Sequence, residues 1–321
     1  MKTKYLAFAA AAFMLASCSN DEDLIPQDDL KDTPITVTAG VAGLTTRAGY
    51  ESNATDDTKS ILPQTFYLTV TQEGGNSQYN YANVKMTKGD ENDYSPEYSL
   101  LWKDGSHSAI AVNAYTFEGT AFTVQTDQST TDKVLASDLL GAIKATENSD
   151  ITISEDNIGI TFRHLLCKLD VTYTWGDELQ IESIKSRSIK SVIYKGFGTD
   201  VTLTRETAAV AKGSNTAEIK AYVDGEKSEA IFAPYWGTSP QICIIIETTT
   251  GEGEEAVTEN RSFVLNVTTP ASGFTSGNRY TMNVTIGGTV TQTGDISIAA
   301  GWETGDANGD EDGTTGNMAT N

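Results

Sequence analysis

The residue types that usually carry chemistry are scarce in this chain. It has two histidines, His107 and His164, and three cysteines, Cys18, Cys167 and Cys243. So few soft ligands give no set with the spacing of a zinc site, and little material for a Cys–His or Ser–His nucleophile. His164 lies in a strand-like run beside Phe162 and Leu166. No nucleophile or orienting carboxylate can be nominated beside it, so it reads as a structural histidine. His107 closes the turn Asp104-Gly105-Ser106-His107 and is given no role. Cys167 and Cys243 each sit in an apolar strand. An oxidising compartment would let them pair, but sequence cannot place their Cα atoms within disulfide reach, and two buried free thiols are the favoured reading. Asp306, Asn308 and Asp310 begin like a calcium loop, yet Glu311 stands where glycine is needed and Asn317 where glutamate is needed. Trp102, Trp175, Trp236 and Trp302 could stack on sugars, although burial in a core or between domains is the commoner fate of tryptophan. Acidic residues abound, but no two can be singled out as the acid and base of a glycosidase. The reading is of a non-enzyme with no cofactor and no metal.

Charge points the same way. Against 22 Lys and Arg stand 44 Asp and Glu, a formal net charge of -22. No basic patch suits a nucleic acid, and the acidity implies a soluble, self-repelling surface.

The N-terminus reads as an address. Lys2 and Lys4 precede an apolar run from Tyr5 to Ala16, and Leu15-Ala16-Ser17-Cys18 closes it. The run is 12 residues, short of the roughly 20 that a spanning helix needs, so it is a signal peptide. Its end resembles a bacterial lipobox, which would make Cys18 the lipidated first residue of the exported form, anchored to a membrane rather than spanning it. Ser19-Asn20-Asp21-Glu22-Asp23 follows and resembles the surface-export signal of Bacteroidetes lipoproteins. Physically it is also a solvated linker.

These residues must be positioned by strands. Residues 19–34, with Pro26 and Pro34, read as a tether. Ile35, Val37, Ala39 and Val41 then share one face of ITVTAGV, the half-buried strand signature. An exposed polar loop carrying Arg47 follows. Short strands recur at 65–71, 79–87 and 108–117, with a short helix at 133–143 capped by Asp132. The longest strand-like run is 158–173. Further strands fall at 182–188, 201–204, 216–223, 229–232, 241–248, 262–267, 280–286 and 295–302. Many short strands with few helices predict an all-β chain of β-sandwiches with one or two short helices. The divisions are 1–18 signal peptide, 19–34 tether, 35–163 N-terminal sandwich, 164–302 C-terminal sandwich and 303–321 a disordered acidic tail.

Four ordered segments resemble the fimbrillin family of Bacteroidetes, subunits of protease-assembled type V pili. They are the strand 35–41 running into Thr45-Thr46-Arg47-Ala48-Gly49; Ser137-Asp138-Leu139-Leu140; Ile160-Thr161-Phe162-Arg163-His164-Leu165-Leu166-Cys167-Lys168-Leu169; and Gly273-Phe274-Thr275-Ser276-Gly277-Asn278-Arg279-Tyr280, with Ile296, Ile298 and Trp302 at the end. Each is weak alone; their order behind a lipobox is more specific. The resemblance implies two tandem transthyretin-like β-sandwich domains. It implies export as a lipoprotein to the outer membrane and cell surface, and a place in a fimbrium serving cell adhesion, including a tip or accessory place. An arginine-specific protease would cut between Arg47 and Ala48, and subunits would join by strand exchange.

On this reading Ile35, Val37, Ala39 and Val41 form the displaced filler strand. Met282, Val284 and Ile286, or Ile296, Ile298 and Trp302, form a donor strand or close their own domain. Partners would be other fimbrillin subunits, the protease, the membrane through the lipid, and host or bacterial surface ligands. The alternative is a surface glycan-binding lipoprotein of a polysaccharide-uptake system, which also explains the lipobox and the sandwiches.

Overall fold

The computed structural model describes residues 32–42, 62–145 and 149–299. Cys18, Arg47, Ala48 and Trp302, with nearly all of the tether and the whole acidic tail, lie outside the described residues.

Alternating apolar residues become strands wherever one face can be buried. The first half holds β1 (Thr36–Val41), β2 (Thr65–Gln72), β3 (Tyr81–Lys88), β4 (Asp93–Pro96), β5 (Ala109–Tyr115), β6 (Ala121–Thr123), the helix α1 (Thr131–Ala136), β7 (Leu140–Ile143), β8 (Ile151–Ser154) and β9 (Asn157–His164). The second half holds β10 (Cys167–Trp175), β11 (Ile184–Gly198), β12 (Asp200–Thr204), β13 (Ala209–Lys212), β14 (Thr216–Lys220), β15 (Tyr222–Asp224), β16 (Lys227–Thr250), β17 (Val257–Asn266), β18 (Arg279–Ile286) and β19 (Val290–Ala299). The fold is all-β, as composition and turn spacing lead one to expect.

In the first half the ladder runs β1-β4-β3-β2-β5-β7-β9, and β1 also pairs with β9, so the sheet closes on itself; β8 pairs with β9. Phe66, Leu68, Val84, Trp102 and Phe162 fill its interior. In the second half β16 belongs to two sheets. Its first part pairs with β10, which leads on to β18 and β19, and its later part pairs with β11 and β17. Leu169, Val171, Tyr280 and Met282 from one layer meet Val192, Tyr194, Ile242 and Ile244 from the other in one core. The register of β11 slips beside Gly196, whose φ of 77° is one that glycine adopts without a side-chain penalty.

Several expected bounds move. The helix expected over 133–143 stops at Ala136, where the Ser137 hydroxyl donates to Lys133 O at 2.9 Å. Thr130, not Asp132, is its N-cap. Leu140–Ile143 instead fills a ladder position between β5 and β9, and tertiary pairing overrides helical spacing. The long run 158–173 breaks at Leu165 and Leu166, where the chain leaves one sheet for the other. Conversely, 229–232 and 241–248 fuse into the single strand β16.

The halves are joined by more than a linker. β6 pairs with β12 in a small sheet that also holds β13. Tyr115, Leu139, Leu165, Leu166, Leu203 and Ile231 form a core between the halves. The fully buried Gln128 reaches across this junction. Its Nε2 donates to Ile231 O at 2.7 Å and its Oε1 accepts from Ile231 N at 2.8 Å. Gln128→Ala leaves both buried backbone groups unsatisfied and is expected to cost about 1–3 kcal/mol, read as a lower urea midpoint with an unchanged slope.

Four charges lie on the outer face of the β16–β10–β18 layer. Lys168 Nζ is 2.5 Å from Glu229 Oε2 and 3.4 Å from Asp170 Oδ1, and Arg279 Nε is 2.5 Å from Asp170 Oδ2. Lys168 and Glu229 are each only 3% exposed. Burial pushes the Glu229 carboxyl up to about 7, outweighing the pull of Lys168 in the other direction.

Candidate functional site

The site of interest is the slot that holds β1. In the sequence β1 stands before the long polar loop; in space it lies between β4 and β9. It pairs antiparallel with β4, Val37 opposite Tyr94, and parallel with β9 from Thr36 opposite Asn157 to Val41 opposite Phe162. Flanking backbone bonds fasten both ends. Ile35 N donates to Leu100 O at 2.8 Å, Thr36 N to Asp156 O at 2.9 Å, Ala39 N to Asn92 O at 3.0 Å and Ala42 N to Phe162 O at 2.7 Å.

Side chains alternate as the period of two requires. Ile35, Val37 and Ala39 are buried in the core of the first half, and Val41 packs partly against it. Thr36 and Thr38 face outward, where Asn157 Nδ2 donates to Thr38 Oγ1 at 3.1 Å. Beneath the slot, Phe66 packs on Tyr94 and Phe162 with ring centroids 4.7 and 5.1 Å apart. The Tyr94 hydroxyl donates to Pro63 O at 2.6 Å, and burial pushes it up to about 12. Without β1, β4 and β9 would each present an unpaired edge over an uncovered apolar strip, a template for another strand.

The other singled-out residues fall elsewhere. Met282, Val284 and Ile286 are buried in the second core on β18, which is flanked by β10 and β19. Ile296 is 8% exposed, but Ile298, opposite Tyr280 on the edge strand β19, is 55% exposed. His164 Nδ1 is 2.8 Å from Asp138 Oδ2, both buried. An orienting carboxylate does stand beside it, brought there by the turn after α1, which sequence separation hid. Cys167 and Cys243 are free thiols. Cys167 is buried, with Sγ 3.1 Å from Thr275 O, whereas Cys243 is only half-buried. Trp102 is buried, Trp175 and Trp236 pack partly buried against the second core, and His107 stacks on Trp102 at 5.1 Å. Among the described residues no group of His, Cys, Asp and Glu could hold a metal ion. Sequence reasoning missed β4, because Asp-Tyr-Ser-Pro is too short and polar to announce a strand. Its only signal was Tyr94, the single large apolar ring between two turns.

The described residues form an all-β chain whose first sheet is completed by one short N-terminal strand. The model described as fimbrillin-like matches residues 46–302, and the chain belongs to that family, one of fimbrial structural subunits and not of enzymes. Solved structures share the fold. A candidate cell adhesion protein from Bacteroides ovatus is 16% identical over 86% of this chain and 99% of its own, with a TM-score of 0.54. Another from Bacteroides uniformis is 17% identical over 84% and 98%, with a TM-score of 0.51. A fimbrial protein from Bacteroides vulgatus is 12% identical over 84% and 99%, with a TM-score of 0.50. A search of curated proteins gives no match.

Proposed function

We propose that this chain is a pilus subunit that is exported as a lipoprotein acylated on Cys18, cut between Arg47 and Ala48, and assembled by strand exchange at the β1 slot. On this reading residues 19–34 tether a sandwich of 35–163, which is followed by a second of 164–302 and an acidic tail of 303–321. The observation that carries it is the placement of β1. Among the described residues it is the one strand that precedes Arg47, it holds ladder positions on both sides, and it caps the first core with Ile35, Val37 and Ala39. A cut after Arg47 separates it covalently from everything it packs against, together with the lipid. The vacated slot accepts a strand with the same alternation from a following subunit. Such a strand could be Met282, Val284 and Ile286 or Ile296, Ile298 and Trp302. Met282, Val284, Ile286 and Ile296 already lie in the second core, whereas Ile298 is exposed, so the stretch ending at Trp302 is the better donor. The product is a fimbrium at the outer surface, with this chain as stalk, tip or accessory subunit meeting host or bacterial surface ligands.

The folded chain, treated with an arginine-specific protease, is expected to give a new N-terminus at Ala48, followed by loss of residues 32–42 and growth of ladders or filaments. A clean cut with growth only when a second fimbrillin is added places the chain at a tip. Absence of a preferred cut at Arg47, or a cut chain that keeps β1 and joins no subunit, overturns the proposal.

A further inference from the structure

We propose that β17 is a docking edge for a second copy of this chain, the two β17 strands pairing antiparallel about Asn260. β17 pairs with β16 and, among the described residues, with no other strand. Its other edge is therefore a row of open backbone groups. The side on which they lie is fixed by one bond. Val267 N donates to Pro240 O at 2.9 Å, directly across the same register that puts Asn266 opposite Gln241. In an antiparallel pair the bonded positions alternate. Thr258, Asn260, Ser262 and Val264 consequently turn their N–H and C=O groups away from β16.

The side chains along this edge mirror one another. Reading outward from Asn260, Glu259 matches Arg261, Thr258 matches Ser262, Val257 matches Phe263 and Ala256 matches Val264. Acid meets base, hydroxyl meets hydroxyl and apolar meets apolar. A two-fold axis at Asn260 brings each residue opposite its match on the other copy. Even-numbered positions face even-numbered positions, so open backbone groups meet open backbone groups. Glu259 and Arg261 then fall at the closer, non-bonded positions of the new ladder, where opposite charges gain most. Neither has an ion-pair partner among the described residues. Val257 and Val264, 53% and 55% exposed, are two of the large apolar side chains left on the surface, and the pairing covers both. The edge also carries neither proline nor lysine, the usual devices that block such pairing. Because the contact is isologous it closes at two copies. It lies on the second half of the chain and needs no cleavage, so it is independent of strand exchange at β1.

The test uses the full uncut chain in sedimentation experiments over a wide concentration range. A reversible dimer is expected. Glu259→Arg or Arg261→Glu sets like charges opposite each other twice per dimer and is expected to weaken it about tenfold or more. An equimolar mixture of the two variants restores the dimer, because each copy then meets its complement. Both residues are exposed, so thermal melts taken at concentrations where the chain is monomeric should be unchanged. Asn260→Cys should give a disulfide-linked dimer on a non-reducing gel that the natural chain does not. A chain that stays monomeric and does not cross-link, or a dimer indifferent to both single substitutions, overturns the proposal.

Discussion

Lys168→Met is expected to lower the stability of the chain by about 1–3 kcal/mol near neutral pH, because it takes the charged partner from a buried carboxyl, which then keeps its proton, while most of the apolar stem remains. Asp170 and Glu229 stand directly opposite each other on β10 and β16, and Lys168 lies between their carboxylates. Arg279 still pairs with Asp170, so Glu229 bears the loss. The pH dependence separates charge from packing. Burial has raised the Glu229 carboxyl from 4.5 to about 7. Between these values the folded chain holds a proton that the unfolded chain has lost, so this group's contribution falls as pH rises through the window and is level above it. Removing Lys168 raises the carboxyl further and extends the fall toward alkaline pH.

The cost of Lys168→Met should therefore be smallest near pH 5 and largest near pH 8. It can be read from urea unfolding followed by the fluorescence of Trp175 and Trp236. Asp150, raised by burial, acts in the same direction, so Glu229→Gln is the control that removes only the Glu229 window. Asp104, lowered chiefly by its bond from Ser106, and Asp200, lowered chiefly by Tyr235, act below the ordinary carboxylate range and do not enter it. A loss equal at every pH would mean that Lys168 contributes packing and not charge.

Neighbouring residues in sequence made β1 legible, and distant ones made it a slot. The alternation of Ile35, Val37 and Ala39 gave strand, face and burial, since a period of two is a local property. That β1 lies parallel to β9, some 120 residues on, is a non-local pairing that no local pattern encodes. The same distinction explains the rest. Leu135, Leu139 and Leu140 have helical spacing, yet Leu140–Ile143 is a strand because β5 and β9 leave a gap for it. The strand signals at 229–232 and 241–248 were both correct, but their continuity through Gly237 and Pro240 was hidden by two residues that usually mark turns. No local pattern marks Gln128 as buried, and only the junction gives it a donor and an acceptor to satisfy. The Lys168 cluster lay in plain view as alternating Cys-Lys-Leu-Asp, but its burial depends on what covers the outer face of the sheet.

Val37→Asp should open the first sheet without any cut. Val37 is 3% exposed and faces the core that Phe66 and Phe162 build. A carboxylate there loses its water and gains no partner, a penalty of several kcal/mol if β1 stays in place. The chain has a cheaper course, which is to let β1 leave. The loss is then capped by what docking contributes, about 1.5–3 kcal/mol for each of Ile35 and Val37 from apolar burial, together with the ladder on both sides. Amide exchange should report the choice. Protection is expected to fall at Asp93 and Tyr94 and along Ile158–Phe162, the partners of β1, while β16 and β18 keep theirs. Binding of an apolar dye should rise as the strip over Phe66 is uncovered. Thr36→Asp puts the same charge on the exposed face of the same strand and should leave β1 docked. If both variants keep full protection, the core does not hold β1. If both lose it, the ladder and not the buried face is what charge disrupts. If only Val37→Asp opens, the grip on β1 resides in its inward side chains, and any strand offering the same alternation can replace it, which is the physical requirement for exchange between subunits.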